Sequence, residues 1–251
     1  MDRVGWLVRC TVVALALTLP VLSGVRAAEI DLALVLAVDV SRSIDDDEFA
    51  LQRRGYAQAF TNPAVINAIR TNPRHQIAVA FVEWAGSDFQ RLVIPWTLIS
   101  DAESGQLFAE SVLREPRSFF GWTSISGAID YSVTVLRSAP HEATRQVIDV
   151  SGDGVNNSGR SSDDARDDAV RAGITINGLV IMNDRPTPGF IFQPQPPLDL
   201  FYRDHVVGGP GAFVIAIDDF DSFAYAIINK LIREIAGDLA PHDVARAEPL
   251  R

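Results

Sequence analysis

Five oxygen-bearing side chains occur in three short motifs whose composition suits cation binding. In the first motif, D-V-S-R-S at 39–43, Asp39, Ser41 and Ser43 occupy alternate positions, so one short loop can direct three side chains at one point. The second motif is G-W-T, which ends at Thr123, and the third is S-G-D-G, which contains Asp153. A hard cation such as Mg²⁺ binds about six oxygens and keeps some water, so hydroxyls with a few carboxylates suit it.

Each motif also has an interpretation that needs no metal. Ser43 and Asp46 have the spacing of a capping box for a following helix, and Asp39 could be another cap. The Asp/Asn-rich run 153–157 could bind calcium, although its spacing departs from the EF-hand pattern. Since Asn and Gly are common turn residues, we interpret Asn156 and Asn157 as loop residues.

The strands predicted ahead of these motifs place them at one edge of a sheet. Ile30–Val38 is a nearly continuous apolar run, typical of a strand buried on both faces of a parallel sheet. Gln146–Val150 is a shorter apolar run that leads directly into the S-G-D-G motif, and Thr123 precedes a predicted helix at Ser124–Arg137. Loops at the carboxyl ends of parallel strands form the ligand crevice of open α/β sheets.

The rest of the chain alternates strands with helices. Gln76–Ala85 and Gln90–Leu98 are β-rich runs joined by G-S-D, which predicts an antiparallel hairpin. The remaining predicted strands are Ile174–Met182 and Ala212–Ile217, and the remaining predicted helices are Asp45–Phe60, Asp101–Arg114, Ser162–Arg171, Leu198–Val206 and Asp221–Ile235. This order predicts a doubly wound, Rossmann-like α/β fold, with a mostly parallel sheet, one antiparallel edge strand and helices on both faces.

Taken together, the three motifs resemble the metal-ion-dependent adhesion site (MIDAS) of von Willebrand factor A (VWA) domains and integrin inserted domains. That site consists of D-x-S-x-S, then a Thr ahead of a helix, then an Asp in a G-D-G or S-D-G turn. The order, spacing and strand contexts match from about Glu29 to Gly237. The chain also resembles bacterial exported VWA proteins of uncharacterised function, which have a late segment similar to Y-R-D at 202–204 through G-G-P-G-A-F at 208–213.

The resemblance implies a VWA fold with a complete metal site. It implies Ser41, Ser43 and Thr123 as hydroxyl ligands of Mg²⁺ or Mn²⁺, with Asp39 and Asp153 holding waters or the metal. A cation bound mostly by neutral groups stays electrophilic and can accept a carboxylate from another molecule. We therefore expect an adhesion or assembly module whose protein or peptide partner supplies an Asp or Glu carboxylate.

Three aromatic residues are candidates for contact with that partner. Trp122 is adjacent to Thr123 and is either an exposed interface anchor or part of the core. Phe190 and Phe192 lie in a proline-rich insertion at 183–211, which follows a predicted strand and is therefore expected at the edge with the metal motifs. An apolar group within a polar stretch is either a satellite core or a contact patch.

Sequence patterns of several enzyme classes are absent. The four histidines are scattered without an H-E-x-x-H pair, and no G-x-x-x-x-G-K-[ST] phosphate loop occurs. The run T-S-I-S-G at 123–127 lacks the first glycine of the serine-hydrolase elbow. We therefore expect no catalytic residue, and the alternatives to a binding module are a metal-dependent hydrolase and a structural VWA domain with an unoccupied site.

Residues 1–27 have the pattern of a secretory signal peptide. Basic residues begin the segment, an apolar run from about Thr11 to Leu22 follows, and small residues end it. We expect cleavage after Ala27 and a periplasmic or secreted protein; the alternative is an uncleaved anchor, although the run is shorter than the ~20 residues of a spanning helix. Cys10 is the single cysteine and lies in this segment, so the mature chain would contain no disulfide.

Length, composition and charge limit the remaining possibilities. A chain of 251 residues with 47% hydrophobic residues is sufficient for one globular core, so we predict one VWA-like domain at 28–240 and a flexible tail at 241–251. The formal charge is −10 for the whole chain and −12 after removal of residues 1–27, which contain three arginines and one aspartate. Such a charge repels nucleic acid and anionic lipid, so we expect no nucleic-acid partner and no stable membrane insertion after cleavage.

Overall fold

The computed structural model describes residues 28–182, 197–237 and 244–246. Three predicted segments lie wholly or partly outside these described residues: the leader at 1–27, the part of the insertion at 183–196, which includes Phe190 and Phe192, and most of the tail. In the described part of the chain, no helix combines the length and the apolar character needed to cross a membrane.

In the part of the chain that the structure describes, seven strands form one sheet in the order β3-β2-β1-β4-β5-β6-β7. Their bounds are β1 (Glu29–Asp39), β2 (Ile77–Trp84), β3 (Gln90–Ile99), β4 (Glu142–Gly152), β5 (Thr175–Ile181), β6 (Val214–Ile217) and β7 (Val244–Arg246). All neighbouring strands pair in parallel except β2 and β3, which pair antiparallel. The predicted mostly parallel sheet with one antiparallel edge strand is therefore confirmed.

Among the described residues, seven α-helices cover the two faces of this sheet. They are α1 (Asp46–Thr61), α2 (Pro63–Thr71), α3 (Ala102–Arg114), α4 (Ile125–Arg137), α5 (Ser162–Arg171), α6 (Leu198–His205) and α7 (Phe223–Ala236). One core cluster contains side chains from α1, α2, α3 and α7, and the other contains side chains from α4, α5 and α6. Along β1, Leu34 and Leu36 join the first cluster, whereas Val35 and Ala37 join the second, as expected for a strand buried on both faces.

The structure differs from the sequence-based elements in three places. The helix α2 was not predicted, because it is short and buries only three apolar side chains; its signal was Asn62, which caps it, followed by Pro63 at the first helical position. The strand β4 begins at Glu142, four residues before the predicted start. The prediction missed these residues because most of them are polar and do not extend the apolar run. The tail was predicted for 241–251, and within that range Val244–Arg246 pairs with β6 as a strand.

A cluster of buried charges lies between the sheet and α7. Nζ of Lys230 lies 2.7 Å from Oδ1 of Asp149 and also contacts Glu234. The side-chain amide of Asn177 donates a hydrogen bond to Glu234 (2.9 Å). Burial, with the nearby charge of Glu234, raises the pKa of Asp149 to about 7. The core on this face is therefore partly ionic rather than purely apolar.

The contact between α1 and α3 depends on a glycine and gives the first prediction. A Cβ at Gly105 would lie 2.3 Å from the carbonyl oxygen of Phe60 and 2.9 Å from Cδ1 of Ile66. Alanine is the better helix former by about 1 kcal/mol, but overpacking costs about 1–3 kcal/mol, and here the backbone of α1 would have to move. We expect Gly105→Ala to lower the free energy of unfolding in urea by about 1–3 kcal/mol.

The matched control is Glu110→Ala, which makes the same side chain at an exposed position of the same helix. It should leave the free energy of unfolding within about 0.5 kcal/mol of the wild-type value. Equal or greater stability of Gly105→Ala would contradict the close packing of α1 on α3.

Candidate metal centre

The structure brings the five predicted site residues together at the carboxyl edge of the sheet. We call Asp39, Ser41, Ser43, Thr123 and Asp153 the oxygen cluster. The Ser43 hydroxyl donates to Oδ1 of Asp153 (2.6 Å) and lies 3.1 Å from the Ser41 hydroxyl. The Thr123 hydroxyl donates to that of Ser41 (3.5 Å). Residues separated by up to 110 positions along the chain therefore contact one another directly.

The pairing of β1 with β4 explains this convergence. In the parallel register Val38 lies opposite Ser151, so the two strands end side by side. The chain leaves β1 at Asp39 and leaves β4 at Gly152, and the next residues form loops on the same edge. The motifs at 39–43 and 151–154 therefore meet because the strands before them have matching ends.

The capping alternative for Ser43 and Asp46 is wrong. The residue that caps α1 is Asp45, whose side chain accepts a hydrogen bond from the backbone N–H of Glu48 (2.9 Å). The Glu48 carboxylate in turn accepts from the backbone N–H of Asp45 (2.8 Å), which completes a capping box. The Ser43 hydroxyl instead contacts Asp153 and Ser41 within the oxygen cluster.

Two carboxylates lie buried in the oxygen cluster. Asp39 has no exposed surface and Asp153 is 6% exposed. Burial raises the pKa of Asp39 well above its usual value, and the charge of Asp153 raises it further, while the N–H of Ser41 donates to Oδ1 of Asp39 (2.7 Å) and opposes this effect. Among the described residues, Oδ2 of Asp39 has no hydrogen-bond partner. The centre thus brings two acidic side chains together in a buried place, and one oxygen of Asp39 has no donor within the described part of the chain.

Gly152 allows a second buried oxygen to approach Asp39. A Cβ at position 152 would lie 2.6 Å from the Tyr202 hydroxyl and 3.0 Å from Oδ2 of Asp39. Tyr202 belongs to α6, is fully buried, and its hydroxyl has no hydrogen-bond partner among the described residues. Burial raises the pKa of Tyr202, and the charges of Asp39 and Asp153 raise it further, so the phenol stays protonated and can donate.

The donor set suits a hard divalent cation. Three neutral hydroxyls and two carboxylates converge, and one carboxylate oxygen, Oδ2 of Asp39, lacks a donor within the described residues. No group of three or more His, Cys, Asp or Glu side chains that could hold a metal occurs in the part of the chain that the structure describes. The oxygen cluster is a different kind of group, because it contains only two carboxylates and completes its donors with hydroxyls.

Arg117 holds the first motif in place and was missed by the sequence analysis. One guanidinium nitrogen, Nη2, lies 2.8 Å from the carbonyl oxygen of Val40, 2.7 Å from that of Ser41 and 2.8 Å from that of Ile44. Burial lowers the pKa of Arg117, and the acidic side chains around it, of which Asp46 has the largest effect, oppose this. The contacts are to backbone atoms more than 70 residues away, so no sequence motif signals them.

Arg117 belongs to a segment that is itself attached to the sheet. We call residues 115–122, between α3 and α4, the connecting segment. Its Ser118 donates a backbone N–H to Oε2 of Glu83 on β2 (2.7 Å), and Glu83 is buried and paired with Arg53 of α1. The N–H of Arg42 donates to the carbonyl oxygen of Gly121 (3.0 Å). The connecting segment therefore joins β2 to the loop that contains the first motif.

Asparagines fix the position of Thr123. The backbone N–H of Thr123 donates to the side chain of Asn157 (2.9 Å), and the N–H of Asn157 donates to the carbonyl oxygen of Thr123 (2.9 Å). The side chain of Asn156 accepts from the N–H of Ser126 at the start of α4 (3.1 Å). The interpretation of both asparagines as loop residues is confirmed.

Of the three predicted partner-contact residues, the structure describes one. Trp122 is 61% exposed, so the alternative that it belongs to the core is wrong. Phe190 and Phe192 lie outside the described residues. Two further exposed aromatic residues, Phe89 and Phe120, were missed because they lie in short segments between the predicted strands and helices, where no periodic apolar pattern points to them.

Comparisons with solved structures identify the fold. Proximal thread matrix protein 1 from the mussel byssus matches with a TM-score of 0.57 and 14% identity, over 84% of this chain and 47% of that chain. Another structure of that protein is described as having a zinc-occupied MIDAS motif. It matches with a TM-score of 0.54 and 16% identity, over 84% of this chain and 46% of that chain. The von Willebrand factor type A protein from Catenulispora acidiphila matches with a TM-score of 0.54 and 17% identity, over 82% of this chain and 42% of that chain.

The pilus adhesin SpaC from Lactobacillus rhamnosus GG also matches, with a TM-score of 0.60 and 13% identity, over 84% of this chain and 31% of that chain. The chain thus spans less than half the length of each of these proteins, and the similarity shows a VWA fold. No curated protein matches the sequence. The model of one family, described as "Protein of unknown function (DUF1194)", matches residues 29–239, and the chain therefore belongs to the DUF1194 family.

Proposed function

We propose that this chain is an exported protein-binding module that captures an acidic group of its partner through a divalent cation, Mg²⁺ or Mn²⁺, at the oxygen cluster. The observation that supports this most strongly is the convergence of three hydroxyls on two buried carboxylates, one of which has an oxygen without a donor in the described residues. Such a centre is costly unless a cation compensates it, because buried like charges repel and are poorly solvated.

The residues of the oxygen cluster would have two different roles in binding the cation. Ser41, Ser43 and Thr123 would act as neutral ligands, while Asp39 and Asp153 would hold the cation or its waters. A bound cation with mainly neutral direct ligands supplies electrophilic character, which attracts a carboxylate to its remaining position. The local positive charge would also explain how a chain of formal charge −10 can bind an acidic group.

The descriptions of two similar solved structures support this proposal. One is described with a zinc-occupied MIDAS motif on the same fold, and another is a pilus adhesin. Export is supported by the signal-peptide pattern of residues 1–27. A binding role is favoured over hydrolysis because the histidine rings that form hydrogen bonds in the described residues, His75 and His205, bond to Arg70 and Asp163 and not to the oxygen cluster.

Metal binding itself is the first test. Wild-type protein should gain thermal stability with Mg²⁺ or Mn²⁺, by about 2.7 kcal/mol at a cation concentration of 100 Kd. In Asp39→Asn and in Asp153→Asn this gain should disappear, whereas the metal-free stability should hold or rise, because one of two repelling charges has been removed. Thermal unfolding with and without EDTA measures both effects.

The matched control for these variants is Asp164→Asn, the same change at an exposed position of α5. It should keep the full cation-dependent rise in melting temperature. If titration calorimetry finds wild-type cation affinity in both Asp39→Asn and Asp153→Asn, the oxygen cluster is not the metal site.

Arg117 should raise the affinity for the cation without binding it, because Arg117 fixes the loop that contains Ser41 and Ser43. Replacing Arg117 by Met removes the donor for two carbonyl groups of the first motif and for that of Ile44 directly after it, so Ser41 and Ser43 lose their fixed position. We expect the affinity for Mn²⁺, measured by calorimetry, to fall about tenfold or more, in line with other outer-shell substitutions. Arg114→Met, at an exposed position of α3, is the control; unchanged affinity in a folded Arg117→Met protein would show that the contacts do not position the ligands.

Partner capture tests the binding role. Tagged wild-type protein, incubated with solubilised envelope of the source organism, should retain a partner in Mg²⁺ and release it in EDTA. Asp153→Asn should retain none, because the carboxylate of the partner then has no cation to bind. A partner that is captured equally in EDTA would show an interaction that does not pass through the metal centre.

A further inference from the structure

A group of exposed aromatic side chains lies on the loops beside the oxygen cluster. We call Phe89, Phe119, Phe120 and Trp122 the aromatic patch. Phe89 is 47% exposed, Phe120 is 63% exposed and Trp122 is 61% exposed. Among the large hydrophobic side chains that are exposed in the described residues, the other three are leucines on β3 and α3. Clustered exposed aromatic residues mark interaction sites far more often than scattered leucines do.

Phe89 and Trp122 lie close together because the residue between them, Gly86, has no side chain. A Cβ at Gly86 would lie 3.3 Å from Cδ2 of Phe89 and 3.8 Å from Cβ of Trp122, so both residues adjoin this glycine. The rings of Phe89 and Phe119 have centroids 5.6 Å apart. The guanidinium of Arg117 lies 4.0 Å from the ring centroid of Phe120, which gives one end of the patch a cationic neighbour.

The patch borders the oxygen cluster directly. Trp122 precedes Thr123 in the chain, and the carbonyl oxygen of Gly121, between Phe120 and Trp122, accepts a hydrogen bond from the N–H of Arg42 (3.0 Å). Arg42 is exposed and lies between two serines of the oxygen cluster. A ligand bound at the cluster would therefore meet a cationic side chain and aromatic surface at the same time.

We infer that the partner is a peptide segment in which an Asp or Glu lies next to a bulky apolar residue, the apolar side chain packing on the aromatic patch. This inference rests on the proposed function. A single carboxylate–metal contact has to offset the entropy lost on association, and desolvated aromatic anchors supply most of the binding free energy in other interfaces. Arg42 and Arg117 complement the acidic character of such a segment.

The chemistry of the surroundings favours a peptide over a lipid surface. A membrane-binding surface pairs its aromatic residues with a cluster of basic side chains. This chain has a formal charge of −10, and the exposed Asp88 adjoins Phe89. A peptide needs only the few contacts that the patch and the cluster provide together.

Selection from a random peptide library tests the inference without knowledge of the natural partner. A library of seven-residue peptides displayed on phage is bound to wild-type protein in Mg²⁺ and eluted with EDTA. We expect the eluted clones to be enriched in Asp or Glu adjacent to Trp, Phe or Leu. The most enriched sequence is then synthesised for calorimetry in Mn²⁺.

The double variant Phe120→Ser/Trp122→Ser removes the two most exposed side chains of the patch. It should bind the synthetic peptide about thirtyfold more weakly than wild type, as expected for loss of an interface hot spot. Its Mn²⁺ affinity should stay within about twofold of wild type, because neither residue belongs to the oxygen cluster and the hydrogen bonds from Arg117 to the loop at 40–44 do not involve the Phe120 ring. Leu107→Ser/Leu113→Ser, with similarly exposed leucines on α3, is the control and should bind the peptide as wild type does.

The outcomes separate this inference from the proposed function. Acidic clones without apolar neighbours, or equal peptide affinity in the double variant, would overturn the inference and leave the metal-dependent module intact. Absence of any EDTA-released clones would overturn both. Binding of wild type to phosphatidylcholine vesicles, lost in the double variant, would assign the patch to a lipid surface and overturn the peptide inference alone.

Discussion

The burial of two carboxylates side by side is the constraint on which the carboxyl edge of this sheet depends. Asp39 and Asp153 repel each other where little water can solvate them, so the loops must be held together by other interactions. The Ser43 hydroxyl donates to Asp153, and the Ser41 N–H donates to Asp39. Arg117 fixes the loop that contains both serines. Oδ2 of Asp39 has no hydrogen-bond partner among the described residues, and this is the reason why we propose a cation at the centre.

The supporting contacts connect both helical layers to this edge. On one side, Arg53 of α1 pairs with Glu83 of β2, which in turn holds the connecting segment through Ser118. On the other side, α6 places the Tyr202 hydroxyl against Gly152 and close to Asp39. The positions of the oxygen-cluster side chains are therefore set by buried polar groups in the two helical layers as well as by the loops that contain these side chains.

The sequence could predict the sheet and most of the oxygen cluster because the first and third motifs directly follow their strands. The apolar run before Asp39 and the run before Asp153 both identify buried parallel strands, and parallel strands end at a common edge. Arg117 could not be predicted, since its partners are backbone carbonyls rather than side chains. Lys230 was also hidden, because a lysine in an amphipathic helix normally faces water, and only the tertiary structure shows Asp149 opposite it.

The hydrogen bond between Ser43 and Asp153 has a consequence for the kinetics of folding. It joins residues 110 positions apart, so the loop that it closes contains nearly half of the chain. A contact of such long range is slow to form, because the entropy of closing a long loop is lost before the contact stabilises the structure. The pairing of β1 with β4 is of similar range, so the oxygen cluster is assembled only when these two strands have met. Under the proposed function, a bound cation would therefore slow unfolding more than it speeds folding, and it would lengthen the lifetime of the folded protein.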